Sequence, residues 1–309
     1  MADLNRKEFE VLAALAEKSV PMSQRQLAEE TNMSPASVNR ALKDLADKGL
    51  VFEGGITAAG INALEPYRAK RAVFVAAGFG SRLVPVTLNT MVPVTLSPPK
   101  PLVRVNGKRI IDGLLDACLA AGIEEIYIVR GYLAENFDAL LSKYPMIKFI
   151  DNRLYNDANN ISSALCAKDL MRNAYVLEAD LLIRNPKIIK KYHYSSDFLA
   201  IKKDRSDDWC FSAKDGIITG LSHGGLDCWQ EVGISYWSEE DGQKLSKDIE
   251  EAFNMPGGRE LFFEQVPLKV FNKNYKVEIN ESGIFSDKVS IDAEITSSLV
   301  KLFVSLLTR

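Results

Sequence analysis

Apolar residues in the first 67 positions recur at helical spacing. Phe9, Leu12 and Leu15 stand three residues apart and predict a first helix with one apolar stripe. Ser23 followed by Gln26 has the form of a capping box, in which each side chain satisfies the other's backbone N–H, and it opens a short second helix ending near Thr31. Ser34-Pro35 supplies a capping hydroxyl and a proline at the first helical position of a third helix, which carries Leu42 and Leu45 and is closed by Gly49. Leu50-Val51-Phe52, Gly54-Gly55 and Ile56-Thr57 then read as a two-strand wing, with Thr57 capping a fourth helix through Leu64.

From Arg71 the period changes. Ala72 to Ala76 is a continuous apolar run suited to a strand buried on both faces. A helix over Ile110 to Ala121, ended by Gly122, leads to a strand at Ile126 to Val129. Leu133 to Leu141 reads as helix, Ile147 to Ile150 as strand, Ile161 to Met171 as helix and Tyr175 to Leu177 as buried strand. Such alternation predicts an α/β fold, a doubly wound, mostly parallel sheet whose ligands sit in the loops at the carboxyl ends of its strands. The predicted domains are 1–67, helical with a wing, and 68–309, the α/β unit.

Composition narrows the classes. The 309 residues are 47% hydrophobic and 26% charged, which excludes extensive disorder and fibrous sequence. A net charge of −3 is too even for a chain that coats nucleic acid or an anionic membrane, so any anion must be bound locally. Four scattered cysteines without a C-x-x-C, and only two histidines, indicate neither a disulfide framework nor a zinc site and suit a reducing cytoplasm. No apolar run reaches the roughly 18 residues of a membrane span, and the amino terminus opens a polar helix rather than a signal peptide. The sequence leaves a homodimer open.

Residues 6–67 resemble the winged helix-turn-helix domain of MarR-type regulators, with residues 35–48 in the position of the recognition helix. Ser37, Asn39, Arg40 and Lys43 are the side chains that could face DNA. Against this, residues 1–67 hold 7 basic and 10 acidic residues, and a solvated polar face explains the same pattern.

The loop after the first buried strand is Ala76-Ala77-Gly78-Phe79-Gly80-Ser81-Arg82-Leu83. Its glycines let backbone N–H groups close on a polyphosphate, and Arg82 adds a planar cation. No Gly-Lys-Ser/Thr follows, so it is not a Walker loop. Downstream, Pro99-Lys100-Pro101-Leu102 holds a lysine between two prolines that fix its backbone.

These two segments resemble the signature of nucleotidyltransferases that make nucleotide-diphospho compounds. Val129-Arg130-Gly131-Tyr132-Leu133, Asn159-Asn160-Ile161-Ser162-Ser163, Glu178-Ala179-Asp180 and Gly233-Ile234-Ser235-Tyr236-Trp237 extend the likeness to the bacterial CTP:phosphocholine cytidylyltransferases, over residues 71 to about 305. The resemblance implies a Rossmann-like nucleotidyltransferase fold and Mg²⁺-dependent transfer of a cytidylyl group from CTP to phosphocholine, giving CDP-choline and pyrophosphate. It implies that Ala76, Ala77, Gly78, Phe79, Gly80 and Ser81 cradle the nucleotide with Gly131, Tyr132 and Asn159. Arg82 and Lys100 then neutralise the triphosphate, and Asp180 holds the metal with Asp292. A sugar phosphate or phosphoethanolamine as acceptor, and a DNA-binding regulator that only senses nucleotide, are the competing readings.

A quaternary ammonium donates no conventional hydrogen bond, so the choline group calls for aromatic faces. The candidates are Trp209, Tyr236, Trp237 and Phe263, with Tyr132 as a further one. Trp209 is favoured because Ser206-Asp207-Asp208 predict a polar loop in which an indole needs a purpose. Of the neighbouring asparagines, Asn160 reads as a helix cap and Asn159 as the substrate contact.

Two features depart from the family. Val84 to Leu88 recurs as Val92 to Leu96, so the stretch from Arg82 to Lys100 is longer by one repeat. Either this loop bulges outward with Lys100 in place, or it displaces the nucleotide loop and reduces activity. Where the family carries Glu-Ile-Asp near the carboxyl end, this chain has Ser290-Ile291-Asp292, with Glu278-Ile279-Asn280 as the alternative alignment. One carboxylate fewer weakens a Mg²⁺ site.

Overall fold

The computed structural model describes residues 3–18, 22–79, 98–105, 107–183 and 185–281. The chain divides into two units, Met1–Arg68 with Tyr192–Tyr194, and Ala69–Lys191 with Ser195–Arg309.

In the first unit, helices α1 (Arg6–Glu17), α2 (Gln24–Thr31) and α3 (Pro35–Asp47) precede the short strands β1 (Val51–Phe52) and β2 (Gly55–Ile56) and helix α4 (Ala58–Leu64). The caps are the predicted ones. Ser23 accepts from the Gln26 N–H and Gln26 reaches back, Ser34 caps α3 ahead of Pro35, and Thr57 accepts from the Gly60 N–H. Leu12, Val38, Leu45 and Leu64 are fully buried in one core, which gives three short helices the stability they lack alone. Gly60 has no room for a side chain, since a Cβ there would lie 2.3 Å from the Leu50 carbonyl oxygen.

The second unit is built on a seven-stranded sheet. Its strands are β3 (Arg71–Ala76), β6 (Glu125–Arg130), β7 (Lys148–Asp151), β8 (Ala174–Glu178), β9 (Asp197–Lys214), β10 (Ile217–Trp237) and β11 (Glu278–Glu281), in the order β11-β9-β10-β8-β3-β6-β7. A separate hairpin joins β4 (Arg104–Val105) to β5 (Lys108–Arg109). The strands β8, β3, β6 and β7 are mutually parallel, as the alternating pattern predicts. Helices α5 (Ile110–Ala120), α6 (Ile161–Cys166) and α7 (Glu239–Asn254) complete the unit, and cores form around Phe74, Ile128 and Leu177 and around Val73, Phe198 and Trp237.

Three expectations are corrected. Residues 134–140 form a 3₁₀ helix rather than an α-helix, because Leu133 enters it in the left-handed region at φ 48° and the following bonds close at three residues. The helix predicted to reach Met171 stops at Cys166, where Ala167 turns back onto Ala164 and a 3₁₀ turn follows. Trp209 lies in no loop. It sits within the long antiparallel ribbon β9–β10, where the polar run Ser206-Asp207-Asp208 is strand rather than loop. Asp215-Gly216, both at positive φ, makes the turn of this ribbon and is the hairpin signal the sequence offers.

All four cysteines are free thiols, Cys210 and Cys228 facing one another across the ribbon with sulfurs 3.0 Å apart. Among the described residues, no helix is long and apolar enough to cross a membrane.

Candidate active site

Parallel strands β3, β6 and β8 end together, so the loops that follow them share one edge of the sheet. After β3, Ala76 and Ala77 are buried while Gly78 and Phe79 are exposed. Gly80, Ser81, Arg82 and both copies of the repeat lie outside the described residues. After β6, the Tyr132 N–H donates to the Ala77 carbonyl at 3.1 Å, tying the two loops together. The Phe79 ring lies 5.2 Å from Tyr132 and 5.3 Å from Tyr155, an aromatic wall beside the glycine-containing loop. Gly131 permits this wall, since a Cβ there would stand 2.7 Å from the Tyr155 side chain.

Lys100 opens the 3₁₀ turn Lys100–Leu102, whose Pro101 and Leu102 are buried and anchor it. Its Nζ reaches Asp180 Oδ2, just beyond β8, at 2.5 Å. The lysine side chain is 13% exposed and the aspartate 26%, so the pair sits at the mouth of the site rather than in bulk water. Two residues expected to serve one reaction thus meet across a separation of 80 positions. Asp292 lies outside the described residues. The alternative alignment through Glu278 does not reach Asp180. Glu278 is registered against Asp197, which pairs with Tyr236 and through it with Tyr175, level with the start of β8 instead of its end.

The side-chain cap expected of Asn160 is not made. Asn159 is structural: its N–H donates to the Arg259 carbonyl, its amide donates to the Glu260 carbonyl at 3.2 Å, and its Oδ1 accepts from the Asn160 N–H. Asn160 makes no side-chain cap; its Oδ1 accepts from the Phe263 N–H at 2.7 Å, and its side chain also bonds to the Glu264 carboxylate. Asn160, not Asn159, lines the cleft described next.

Beside β8, a narrow cleft is walled by Val75, Phe198 and Phe263 and floored by Glu178, Glu231 and Glu264. Gly233, at φ 75°, allows Glu178 to approach: a Cβ there would lie 2.8 Å from the carboxylate. Burial pushes the Glu231 carboxyl well above its ordinary range, and Glu264, Glu178 and Asp208 push the same way. Burial also raises Glu264. Sequence reasoning missed Glu231 and Glu264. Glu231 stands two residues before the glycine of a quoted motif, and nothing in its spacing marks it as buried.

The expected aromatic enclosure is not assembled. Tyr236 and Trp237 are 1% and 0% exposed, and Trp237 packs edge-on against Phe198, Phe263 and Tyr275 with its indole N–H given to Ser235. Both are core residues, because their strand is covered on each face. Phe263 alone of the four lines the cleft. Trp209 is half-buried and meets His223 and Phe262 edge-on.

Comparison with known proteins agrees with this arrangement. Residues 71–196 match the nucleotidyl transferase family, and residues 4–51 match a winged helix-turn-helix DNA-binding family. The chain is 35% identical over 199 residues to the 2-aminoethylphosphonate cytidylyltransferase of Lancefieldella rimae, covering 63% of this chain and 78% of that protein. It is 30% identical to the choline-phosphate cytidylyltransferase of Streptococcus pneumoniae, over 59% of this chain and 76% of that one. The solved structure of a CTP:phosphocholine cytidylyltransferase from Streptococcus pneumoniae superposes with a TM-score of 0.60 and 28% identity, covering 70% of this chain and 90% of that chain. The mixed, largely parallel sheet, the Lys100–Asp180 pair at its edge and these likenesses together make the chain a member of the nucleotidyl transferase family, an enzyme of the cytidylyltransferase kind with a winged-helix domain ahead of it.

Proposed function

We propose that the chain transfers the cytidylyl group of CTP to a small acceptor bearing a phosphate or phosphonate and a cationic nitrogen, with release of pyrophosphate. Phosphocholine is the acceptor the sequence resemblance implies, and 2-aminoethylphosphonate is the one named for a relative. The observation that carries the reading is the contact of Lys100 with Asp180 at the edge where three strands end.

The acceptor's own oxyanion attacks the α-phosphorus and pyrophosphate leaves, so no covalent enzyme intermediate is needed. The chain's task is to hold two anions together and stabilise the charge that develops between them. Lys100 supplies a cation aimed into the site by its buried neighbours. Gly78 and the loop tied through Ala77 to Tyr132 present backbone to the nucleotide, a role the sequence extends to Gly80, Ser81 and Arg82.

Asp180 suits Mg²⁺, an ion that takes one or two carboxylates and completes its shell with phosphate oxygens and water. Its carboxylate is partly exposed and is paired with the Lys100 ammonium, a partner that a divalent ion can replace. Asp180, with Asp292, would hold the metal, which when bound supplies positive charge at the triphosphate.

Turnover of CTP with a panel of phosphorylated and phosphonylated amino alcohols, read as pyrophosphate release and abolished by Asp180→Ala, tests the reading; nucleotide binding without pyrophosphate release would replace it with the nucleotide-sensing regulator. The winged helix offers Asn39, Arg40 and Lys43 on the exposed face of α3 for DNA, consistent with a cytoplasmic protein. Binding of promoter DNA that persists at physiological salt tests that part.

A further inference from the structure

Glu231 carries an unmet demand. Its carboxylate accepts from the Gly233 N–H, yet Oε1 is shielded from solvent and has no hydrogen-bond partner. A buried acceptor in this state costs about 1–3 kcal/mol, more when charged, so a native site that keeps one has a use for it. Glu264, 8% exposed, lines the same cleft and is held in place by Asn160. The missing partner must therefore be a donor, and cationic.

Size selects among cations. The cleft encloses about 10 Å³, room for one water-sized group. An –NH₃⁺ group matches a water molecule in size and brings three N–H donors. A trimethylammonium brings none and carries three methyl groups that do not fit. Aromatic faces, the usual answer to a quaternary ammonium, are few, because Tyr236 and Trp237 are spent in the core and, among the described residues, Phe198 and Phe263 are the aromatic rings that line the cleft.

We propose that the cleft at Glu231 and Glu264 takes the primary ammonium of an aminoalkyl phosphonate or phosphate, and that Glu231 is the residue by which the enzyme rejects the quaternary homologue. This rests on the transfer reading above and names the acceptor class of the same site. The ammonium donates to Glu231 Oε1 and to Glu264, and its charge relieves the repulsion between the carboxylates. The acceptor's phosphorus end is left toward Asp180, two residues beyond Glu178.

The test uses the full chain with CTP and Mg²⁺ and an acceptor series: 2-aminoethylphosphonate, phosphoethanolamine, its N-methyl and N,N-dimethyl forms, and phosphocholine. The expected result is a fall in kcat/KM with each methyl, reaching about 30-fold or more at phosphocholine. Comparing the first two acceptors separates phosphonate from phosphate as the natural source. Glu231→Gln should raise the KM for the primary amines about tenfold, more than that for CTP, and narrow the gap in kcat/KM between them and phosphocholine, a split that general loss of structure would not give. Calorimetric titration of 2-aminoethylphosphonate and phosphocholine in parallel reports the preference even without turnover. No turnover of any acceptor overturns the transfer reading; phosphocholine bound or used as well as the primary amines overturns this one.

Discussion

The Nζ of Lys100 lies 2.5 Å from Oδ2 of Asp180, so the cation expected to meet phosphate and the carboxylate expected to meet metal are paired with each other. Binding of metal and triphosphate must part them and give each a stronger partner. Lys100→Met should lower kcat/KM for CTP by about 10²–10³, the usual cost of removing one preorganised electrostatic group. Steady-state kinetics with varied CTP checks this, and a loss under threefold would remove Lys100 from the machinery.

Chelation gives a second expectation. Addition of EDTA should abolish pyrophosphate release, and excess Mg²⁺ should restore it in the parent chain but not in Asp180→Asn. Because Asp180→Asn leaves the Lys100 ammonium without its counter-charge, the variant should bind a free triphosphate at least as tightly as the parent when no metal is present. Equilibrium binding of CTP in EDTA measures this.

Gly233 lets Glu178 approach the backbone at a φ of 75°. Gly233→Ala should destabilise the protein by about 1–3 kcal/mol from the left-handed backbone alone and displace Glu178 as well. Thermal unfolding with parallel acceptor kinetics should show both effects; an unchanged melting temperature would mean the strand relaxes around the added methyl.

The buried glutamates set the pH dependence of stability. Burial raises both Glu231 and Glu264 above the ordinary value of 4.5. A carboxyl raised on folding contributes stability that is whole below its unfolded value and is lost as pH rises through its folded one. Stability to denaturant should therefore fall as pH rises above 4.5, and Glu231→Gln should flatten the fall. Denaturation curves at pH 5 and pH 8 for both proteins decide it, and parallel slopes would refute it.

The two tryptophans of the predicted enclosure should separate. Trp237→Ala removes a fully buried side chain and should cost about 3–5 kcal/mol of stability, seen as a lowered unfolding midpoint. Trp209→Ala, at a half-buried position beside Phe262, should leave the midpoint within about 1 kcal/mol and raise the KM for the acceptor more than that for CTP. Equal effects on both KM values would place Trp209 outside the acceptor site.

Local chemistry made much of the fold readable. Ser23, Ser34 and Thr57 announce their helices through caps that need only neighbouring backbone, and the apolar run at Ala72 to Ala76 can belong only to a strand covered on both faces. Lys100 and Asp180 could be singled out because a lysine between two prolines and an aspartate after a buried strand are local patterns, and the structure brings the two side chains into contact. Glu231 and Glu264 could not, since burial of a carboxylate is decided by elements far away along the chain. That Asn160 lines the cleft instead of capping its helix was hidden for the same reason, since its side chain is held by the distant Phe263 backbone. Trp209 was misplaced because the polar run Ser206-Asp207-Asp208 before it has the composition of a loop, whereas its strand is set by pairing with β10.

Lys100 and Asp180 descend from the loops after β3 and β8, whereas Glu231 belongs to the ribbon and Glu264 to the turn beyond α7. The machinery for handling a nucleotide and the surface that reads the incoming partner are therefore written in separate stretches of polypeptide. Mutation can retune one without disturbing the other, a division of labour by which a single scaffold can be turned to new acceptors while its triphosphate chemistry stays as it was.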